Sequence, residues 1–427
     1  MQTALAEFIR DTDAGHEADR ILRSCVHCGF CTATCPTYQL LGDELDGPRG
    51  RIYLIKQVLE GAPACASTQL HLDRCLTCRS CETTCPSGVR YGHLLDIGRE
   101  IVDREVPRRW IDRAQRYVLR TVLPYRRRFG LLWRVAQAVR PLFPAALKRM
   151  VPARQAAGTW PTASHARTML LLQGCVQPVL APRINAAAAR VLSRLGIQAV
   201  TAAPAGCCGA VSHHTGAPDA GLRFARAAID AWWPHIEAGA QAIVMTASGC
   251  GAMVKEYGYL LRNDPAYADR AARVSALTRD LCEVLRDEDL SGLPVAPSGR
   301  RVAFHAPCTL QHGQQIKGVV EWLLTDMGFE LTAVPDSHLC CGSAGTYSIL
   351  QRDLSARLKR NKLAALNSGH PDVVATANIG CLTHLQSGAT LPVLHWVELL
   401  DPVPSGDDQT APAAASRSIR PGSAHRT

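Results

Sequence analysis

Residues 25–36 read CVHCGFCTATCP, and residues 75–86 read CLTCRSCETTCP. Both stretches space four cysteines as C-x2-C-x2-C-x3-C and place a proline directly after the fourth. Cysteine is a scarce residue, so the same spacing written twice indicates two related ligand-binding loops. Three chemistries use closely spaced cysteines, namely disulfide bonds, tetrahedral zinc and iron–sulfur clusters.

The spacing favours the iron–sulfur interpretation. A zinc site usually takes two C-x2-C pairs separated by a longer gap, and a disulfide framework needs an oxidising compartment. Paired [4Fe–4S] clusters of the bacterial ferredoxin type take three thiolates from one run and the proline-flanked cysteine from the other. That pattern assigns Cys25, Cys28, Cys31 and Cys85 to cluster I, and Cys75, Cys78, Cys81 and Cys35 to cluster II.

The length of the chain and its cysteine content limit its class. At 427 residues and 47% hydrophobic content, it should form two or three packed domains. The N-terminus has no apolar segment typical of a signal peptide, and no run of about 18 apolar residues predicts a membrane span. Eighteen cysteines without an export signal indicate a reducing cytosol, where thiols bind metals. We therefore expect a cytoplasmic protein.

The positive charge is concentrated in one segment. Residues 100–154 contain 14 Arg and Lys against 4 Asp and Glu, a surplus equal to the net charge of +10 of the whole chain. Aromatic and aliphatic residues are interleaved with the arginines, for example Trp110, Tyr117, Phe129 and Trp133. This composition predicts a basic amphipathic segment on the anionic inner face of the cell membrane. Docking to an acidic partner and a solvated linker are the alternatives, whereas no nucleic-acid module accompanies the segment.

The second half of the chain is an internal duplication. The first repeat, residues 166–290, and the second repeat, residues 300–400, each contain a single cysteine, a Cys-Cys-Gly triplet and a last cysteine. The pair follows the first cysteine by 32 positions in both repeats, and the last cysteine follows it by 75 and 73 positions. These candidate ligands are Cys175, Cys207, Cys208 and Cys250, and Cys308, Cys340, Cys341 and Cys381.

Each repeat alternates short apolar runs with helical patterns, which predicts parallel strands joined by helices. The cysteines all follow predicted strands, and ligands of open α/β sheets lie beyond the carboxyl ends of the strands. Four distant cysteines can therefore converge on a further iron–sulfur cluster or a zinc ion. A redox-active thiol pair and ordinary buried thiols are the alternatives. Histidines near these sites are also candidate ligands or proton carriers, although a structural role is the simpler expectation for each: His213, His214, His305, His312, His338 and His384.

The predicted fold class is a multidomain α+β and α/β protein, with a helical ferredoxin-like module followed by two duplicated α/β cysteine-rich domains. We name the predicted parts the two-cluster module (1–98), the basic connector (99–165), the first repeat, the second repeat and a disordered tail (402–427). A helix is predicted at 51–60, between the two cysteine runs, and a helical lead-in at 1–24 with Leu5, Phe8 and Ile9 among its apolar positions.

The order of these motifs resembles the iron–sulfur subunits of bacterial glycolate oxidase (glycolate dehydrogenase) over about residues 1–400. The stretches that carry the resemblance include CVHCGFCTATCPTYQLLGDELDGPRGRIYLIKQVLEG, CLTCRSCETTCPSGVRY, TASGCGAMVKEYG, DSHLCCGSAGTY and TANIGCLTHL. The repeats are also similar to the cysteine-rich domains of heterodisulfide reductase and to subunits of lactate and glycerol-3-phosphate oxidation.

The resemblance implies an electron-transfer subunit without catalytic residues of its own. Flavin-containing partner subunits would oxidise glycolate to glyoxylate, and this chain would pass the electrons to a quinone or similar membrane acceptor. Relay for lactate or glycerol-3-phosphate oxidation is an alternative. So are a thiol–disulfide reductase at the Cys-Cys-Gly sites and a zinc-bearing scaffold.

One departure from the heterodisulfide reductase pattern concerns the last cysteine of each repeat. That pattern ends in C-x2-C, whereas Ala247 and Asn378 occupy the positions three residues before Cys250 and Cys381. Each repeat thus offers four cysteines, which argues against a five-thiolate cluster. Within the second run, Arg74 and Arg79 are expected to raise the reduction potential of cluster II, because positive charge favours the reduced state.

Overall fold

The computed structural model describes residues 1–202, 205–293 and 299–401, apart from the side chains of residues 145–147. The predicted tail at 402–427 lies outside the described residues.

The two-cluster module is built of helices. In chain order they are α1 Glu7–Arg10, α2 Asp13–Ser24, α3 Phe30–Ala33, α4 Pro36–Leu41, α5 Pro48–Leu59, α6 Ala66–Asp73, α7 Ser80–Thr84 and α8 Tyr91–Glu105, with a 3-10 turn at Glu44–Asp46. Helix α5 agrees with the helix predicted between the two cysteine runs. Helix α8 continues without a break across the predicted module boundary after residue 98, so the domain boundaries stay predictions.

The two cysteine loops share one backbone conformation. His27 and Gly29 have φ values of +56° and +85°, and Thr77 and Arg79, fifty positions later, have +54° and +59°. These left-handed residues turn the chain tightly around the cysteines before α3 and α7 begin. Arg79 has a left-handed backbone conformation that residues other than glycine rarely adopt. Contacts with its surroundings must therefore stabilise this conformation.

The core of the module lies between α2, α5 and α8. Ile21, Leu22, Ile55 and Leu94 are each at most 1% exposed. Helices α5 and α8 approach closely because Gly98 lacks a side chain: a Cβ there would lie 2.6 Å from Ile55 Cγ1.

The apolar residues of the helical lead-in differ in burial. Leu5 and Ile9 join the core of the module, but Phe8 is 53% exposed. Phe8 lies in the four-residue helix α1, which turns this side chain to solvent.

The basic connector is helical, as predicted. It contains α9 Trp110–Val122, α10 Arg126–Ala138 and α11 Ala145–Met150, with a 3-10 turn at Arg140–Leu142. No helix among the described residues is long and apolar enough to cross a membrane.

The first repeat contains β1 Arg167–Leu171, α12 Gln177–Leu180, α13 Arg183–Arg194, β2 Ile197–Val200, α14 Ala210–His214, α15 Pro218–Glu237, β3 Ile243–Met245, α16 Ser248–Lys255, α17 Tyr257–Leu260, α18 Ala268–Leu277, β4 Thr278–Asp280 and α19 Leu281–Arg286, with a 3-10 turn at Leu290–Gly292. The second repeat contains β5 Arg301–His305, a π-helical turn at Thr309–Gly313, α20 Val319–Asp326, β6 Glu330–Leu331, α21 Tyr347–Leu350, α22 Arg352–Asn367, β7 Val373–Thr376, α23 Ile379–Gln386, β8 Val393–His395 and α24 Trp396–Leu399.

Both repeats form four-stranded parallel sheets of the same topology. The strand orders are β2-β1-β3-β4 and β6-β5-β7-β8. This confirms the α/β class and the duplication predicted for the repeats. Strands β4 and β8 were not predicted from the sequence, because each has only three residues and is partly polar.

The two repeats share one continuous core. Ile184 and Leu192 of α13 and Trp396 and Val397 of α24 belong to the same buried cluster and are fully buried. At its edge, Asp401 is ion-paired with two arginines of α13. The repeats are therefore held as a single unit.

The two-cluster module docks on both repeats. Glu256, at the end of α16, accepts hydrogen bonds from Arg79 at 2.6 Å and from His93 Nε2 at 3.0 Å. The His93 ring stacks on Tyr259 with 3.8 Å between the centroids. Although burial opposes ionisation, the hydrogen bond of His93 and the charge of Arg79 lower the pKa of Glu256 to about 2. Glu256 thus fixes the left-handed Arg79 and joins α8 to the first repeat.

Replacing Glu256 by glutamine should weaken this docking. The carboxylate is only 18% exposed, so we expect a loss of about 3 kcal/mol, at the low end of the range for breaking a buried ion pair. Because the folded pKa lies below the unfolded one, the contribution is present above about pH 4.5 and is lost as the pH falls toward 2. Hydrogen exchange of α8 and α16 amides at neutral pH measures the loss.

The control is Glu100→Gln, which removes an exposed ion pair to Arg104 one helical turn away. Such pairs contribute about 0.5 kcal/mol or less. Equal protection in the two variants would contradict the role assigned to Glu256.

Candidate metal centres

The cluster I site lies near the surface. Cys25, Cys28, Cys31 and Cys85 line a small cavity, of about 30 Å³, between the first cysteine loop and the end of α7. Cys28 is exposed, and Cys31 and Cys85 are partly exposed. Burial and the neighbouring Cys25 raise the pKa of Cys31 to about 11. Beside the cavity, Val26 and Phe30 are 68% and 61% exposed, so apolar side chains surround the site on the outside.

The cluster II site lies deeper. Cys35, Cys75 and Cys81 are between 7% and 9% exposed. Burial and the neighbouring thiols of Cys308 and Cys35 raise the pKa of Cys78 well above its usual value. Cys78 therefore lies close both to the other cluster II cysteines and to Cys308 of the second repeat.

The structure brings the cysteines together as the crossed pattern requires. The Cys85 thiol lies close enough to Cys25 and Cys31 to raise their pKa values, and the Cys35 thiol does the same for Cys78 and Cys81. Proline at the first position of α4 turns the chain directly after Cys35. The binding of clusters by these eight residues stays a prediction.

The Cys-Cys-Gly turns of the two repeats have the same geometry. Gly209 and Gly342 have φ values of +90° and +89°. Each glycine donates its backbone N–H to the sulfur of the first cysteine of the pair, over 3.4 Å in both repeats. A Cβ at Gly209 would lie 2.5 Å from the Gly221 carbonyl oxygen, and one at Gly342 would lie 2.8 Å from that of Ser355. Only glycine allows these turns to lie against α15 and α22.

The turns gather the four cysteines of each repeat at the carboxyl ends of the strands. In the first-repeat site, Cys207 interacts with Cys175 and with Cys208, which in turn interacts with Cys250. In the second-repeat site, Cys308 and Cys340 lie 3.8 Å apart, and Cys340 and Cys381 both adjoin Cys341. The convergence that strand order predicted is thus present in both repeats.

The two repeat sites face each other. The Ser248 and Thr309 hydroxyls lie 2.7 Å apart, and the Gly249 N–H donates to Asn378 Oδ1 at 3.3 Å. A cavity of about 980 Å³ opens on both sites and on the cluster II cysteines Cys75 and Cys78. Three of the four cysteine groups therefore border one interior space.

The donor chemistry of these groups suits iron–sulfur clusters. All eighteen cysteines are free thiols, which argues against a disulfide framework. Burial raises the pKa of Cys78 and Cys81, and the Cys340 thiol together with burial raises that of Cys308, well above the ordinary value. Such thiols ionise only where a cation compensates the charge. A soft metal bound by thiolates supplies that compensation.

A buried arginine that sequence reasoning missed lies beside the cluster II site. Arg51 is 1% exposed and donates to the His71 carbonyl at 2.7 Å, while its guanidinium is 3.4 Å from Asp46. Burial opposes its charge, but the neighbouring Cys75 is among the groups that raise the pKa of Arg51. The RIYLIKQVLE pattern predicted a helix here but did not indicate that its first arginine points inward.

The two arginines predicted to influence cluster II are both paired with carboxylates. Arg74 donates to Asp46 at 2.7 Å, and Arg79 is paired with Glu256. Each carboxylate offsets part of the positive field, so the effect of these arginines on the potential stays a prediction. Arg51 shares Asp46 with Arg74 and adds a second cation to that carboxylate.

The other candidates have varied surroundings. Cys65 and Cys282 match no motif, which predicts ordinary buried thiols. This is wrong for Cys65, which is exposed, whereas Cys282 is buried in the apolar core shared by the repeats. His213 and His214 lie 3.5 and 3.7 Å from Asp96. His312 joins Thr83 to the His338 carbonyl.

Two further histidines lie beside the second-repeat site. Burial lowers the pKa of His305 to about 3 and that of His384 to about 4, so both imidazoles are neutral. Neither position has a histidine counterpart in the first repeat.

Comparison with known proteins matches both halves of the chain. A "4Fe-4S dicluster domain" family matches residues 21–89, and a "Cysteine-rich domain" family matches residues 169–255 and 302–386. The chain is 58% identical to the glycolate oxidase iron–sulfur subunit of Escherichia coli, over 94% of this chain and 98% of that one. It is 30% identical to a probable glycolate oxidase iron–sulfur subunit of Bacillus subtilis, over 90% and 91%. Lactate utilization protein A of Geobacillus thermodenitrificans is 30% identical over 53% of this chain and 95% of its own.

The crossed ligand sets can be tested by spectroscopy. Cys85→Ser should alter the same EPR signal as Cys25→Ser, whereas Cys35→Ser should alter the signal that Cys75→Ser alters, since each proline-flanked cysteine adjoins the other run. Cys65→Ser is the control and should leave iron content and both signals unchanged. A Cys85→Ser variant that matches Cys75→Ser would overturn the assignment.

A tyrosine hydroxyl should tune the potential of cluster II. The buried Tyr91 donates to Cys75 Sγ at 3.6 Å, and a hydrogen bond to sulfur favours the reduced state. Tyr91→Phe should lower the midpoint potential of cluster II by some tens of mV, where about 59 mV corresponds to a tenfold change in a one-electron equilibrium. A redox titration followed by EPR measures the shift.

Tyr347→Phe is the matched control, because its hydroxyl lies close by but donates to the Arg74 carbonyl, at 3.1 Å. It should leave the potential nearly unchanged. Equal shifts in both variants would assign the effect to general packing instead of the hydrogen bond to sulfur.

Proposed function

The chain belongs to the family of glycolate oxidase iron–sulfur subunits, and from this membership and its cysteine sites we propose a specific electron path. It carries iron–sulfur clusters and is an electron-transfer component of an oxidoreductase complex. In the proposal, flavin-containing subunits oxidise glycolate to glyoxylate, and this chain delivers the electrons to a quinone or similar acceptor.

The depth of the sites supports a path from the surface inward. The cluster I site is partly exposed and bordered by Val26 and Phe30, which suits docking of an electron donor. The cluster II site is enclosed, and Cys78 adjoins Cys308 and Cys340 of the second repeat. The second-repeat site in turn borders the large cavity. This order supports a relay from the cluster I site through the cluster II site to the second repeat.

The residues of this chain position and insulate the sites. Bound in these cysteine groups, iron–sulfur clusters supply one-electron redox centres. Helix α7 supplies Cys81 to one group and is followed by Cys85 of the other, which holds the two groups at a fixed separation. Glu256 clamps the loop of Arg79 against the first repeat, and Thr83 does the same toward His312 of the second repeat.

The connector supports contact with an anionic membrane surface. Leu131, Leu132 and Val135 of α10 are between 54% and 60% exposed, and Leu142 is 85% exposed. The exposed arginines 126–128 begin the same helix. Apolar and cationic side chains together suit a helix that lies in the lipid headgroup region. We therefore extend the proposal to a peripheral position on the inner membrane face, near a quinone acceptor.

Two other functions have some support. The similarity to lactate utilization protein A covers about half of this chain, so lactate is the second candidate source of electrons. The cavity that opens on both Cys-Cys-Gly sites is compatible with a thiol–disulfide reductase. Full-length similarity to the glycolate oxidase subunits favours the first proposal.

The relay can be tested in the assembled complex with a Cys78→Ser variant. Glycolate should still reduce the flavin, while reduction of a quinone analogue should fall at least a hundredfold, because the removed thiol lies between the cluster II site and the second repeat. Stopped-flow absorbance follows both steps, with glycolate and lactate compared as substrates.

The matched control is Cys65→Ser, which should retain both steps. Loss of flavin reduction in Cys78→Ser would indicate a structural role instead of a relay. Faster flavin reduction by lactate than by glycolate would favour the second candidate.

The membrane position can be tested with vesicles. The wild-type complex should bind vesicles that contain anionic lipid, and the variant with Leu131→Gln, Leu132→Gln and Val135→Gln should bind at least tenfold more weakly. Each leucine contributes about 1.5–3 kcal/mol when fully buried. Trp322→Gln, a substitution at a half-exposed aromatic of the second repeat, is the control. Equal binding of both variants would exclude α10 as the contact.

A further inference from the structure

A histidine with unused hydrogen-bonding capacity lies beside the cysteines of the second-repeat site. His305 is the last residue of β5, directly before the turn that carries Cys308. It is 1% exposed, and a ring nitrogen lies within 4.8 Å of the sulfur atoms of Cys341 and Cys381, which also lie within that distance of each other. β5 is a central strand of its sheet, so the position of this side chain is set by strands on both sides.

Both ring nitrogens of His305 lack a hydrogen-bond partner among the described residues. A buried polar group without a partner is costly, by about 1–3 kcal/mol, and such groups in native structures usually have a ligand or water. The neutral imidazole has a free lone pair, which is the form that binds metals. Ligands of one tetrahedral metal at bond lengths of about 2.0–2.3 Å lie a little under 4 Å apart, so a small adjustment suffices.

At the matched positions, the first repeat has apolar residues instead. Matched on the first cysteine, His305 corresponds to Leu172, and matched on the last cysteine, Asn378 and His384 correspond to Ala247 and Met253. The three counterparts in the first repeat are between 4% and 7% exposed.

The same asymmetry extends to a buried cation. Lys362 is 3% exposed and neighbours Cys340, Cys341 and Cys381. Matched on Gly221 and Ser355, the residues that touch the Cys-Cys-Gly turns, it corresponds to the buried Ala228. The four-cysteine frame is thus shared, but at these matched positions the polar side chains occur in the second repeat alone.

Asn378 shows that this polarity is directed at the sulfurs. Its side-chain amide donates to Cys381 Sγ at 3.6 Å, while its oxygen accepts from Gly249 of the first repeat. Asn378, which stands where the C-x2-C pattern has a fifth cysteine, therefore donates a hydrogen bond to a cysteine sulfur instead of providing another thiolate. His305 remains as the nitrogen donor closest to completing the site.

We propose that His305 is a metal ligand of the second-repeat site, so that this site has imidazole and thiolate donors whereas the first-repeat site has thiolates alone. The inference rests on the proposed function in one respect, namely that the second-repeat site holds a metal or cluster. Histidine ligation raises the potential of iron–sulfur centres relative to thiolate ligation. The second-repeat site is then the more easily reduced of the two, consistent with its place beside the cluster II site.

The experiment uses the full-length chain purified anaerobically, in unlabelled form and with ¹⁵N-labelled histidine. Iron, zinc and sulfide are measured per chain, and pulsed EPR records the nitrogen couplings of the reduced protein. The second-repeat signal is identified by its loss in a Cys340→Ser, Cys341→Ser double variant. That signal should show a ¹⁴N coupling that labelling converts to ¹⁵N. A zinc-filled site is read through its X-ray absorption edge, as one nitrogen ligand per zinc.

Two substitutions copied from the first repeat separate ligation from packing. His305→Leu should abolish the coupling and release the metal to a chelator at least tenfold faster, since even loss of an outer-shell partner costs 10–100-fold in affinity. His384→Met should keep the coupling, although it removes the other imidazole beside the same cysteines.

Three outcomes would overturn the proposal. They are a wild-type site with metal but no histidine coupling, a coupling that disappears in His384→Met and not in His305→Leu, and a Cys340→Ser, Cys341→Ser variant with unchanged metal content. If His305→Leu fails to fold, labelled wild type and labelled His384→Met still decide the question, because a coupling that persists in His384→Met cannot come from His384. The cluster I and II signals and their reduction by glycolate in the complex report separately on the relay.

Discussion

A buried thiol cannot ionise unless positive charge lies beside it, and this electrostatic constraint governs most of the structure. Four groups of four cysteines are gathered at or beneath the surface, and burial raises the pKa of several of them. Backbone N–H groups point at the sulfur atoms, and the buried cations Arg51 and Lys362 lie beside cysteine groups. The cysteine groups are also donor sets suited to iron–sulfur clusters. The tight left-handed turns at Gly209 and Gly342 bring the backbone N–H groups close to the cysteine sulfurs.

The same constraint explains how the parts are joined. The proposed relay over several sites requires fixed separations, so flexible links between the modules would slow electron transfer. Glu256 joins the second cysteine loop to the first repeat, while Thr83 and the Tyr347 hydroxyl join the two-cluster module to the second repeat. The shared core of the repeats then makes one rigid frame from a duplicated unit. The exposed face of the connector is the exception, because it serves a surface outside the chain in our proposal.

Duplication also allowed the two repeats to diverge around a common frame. Strand order, turn geometry and the four cysteines agree in both. The neighbours do not: where the first repeat has buried aliphatic residues, the second has His305, Asn378 and His384. Such a difference changes charge and hydrogen bonding at the sulfurs without changing the fold, which is how one scaffold can give two sites with different potentials.

The sequence by itself determined the two cysteine runs, the duplication and the strand–helix order of the repeats, because short-range spacing and hydrophobic period are local properties of the chain. The crossed grouping of the cluster ligands is a prediction from the same spacing. The sequence also indicated that the cysteines of each repeat would meet. The tertiary structure alone decided that Arg51 points inward, that Arg79 is clamped by Glu256, and that Cys78 lies against Cys308 of a distant repeat. It also placed His305 with both nitrogens unpartnered, among the described residues, beside Cys341 and Cys381. These features depend on contacts between residues far apart in the chain, and no local pattern encodes which charges and donors will face each other once the modules are packed.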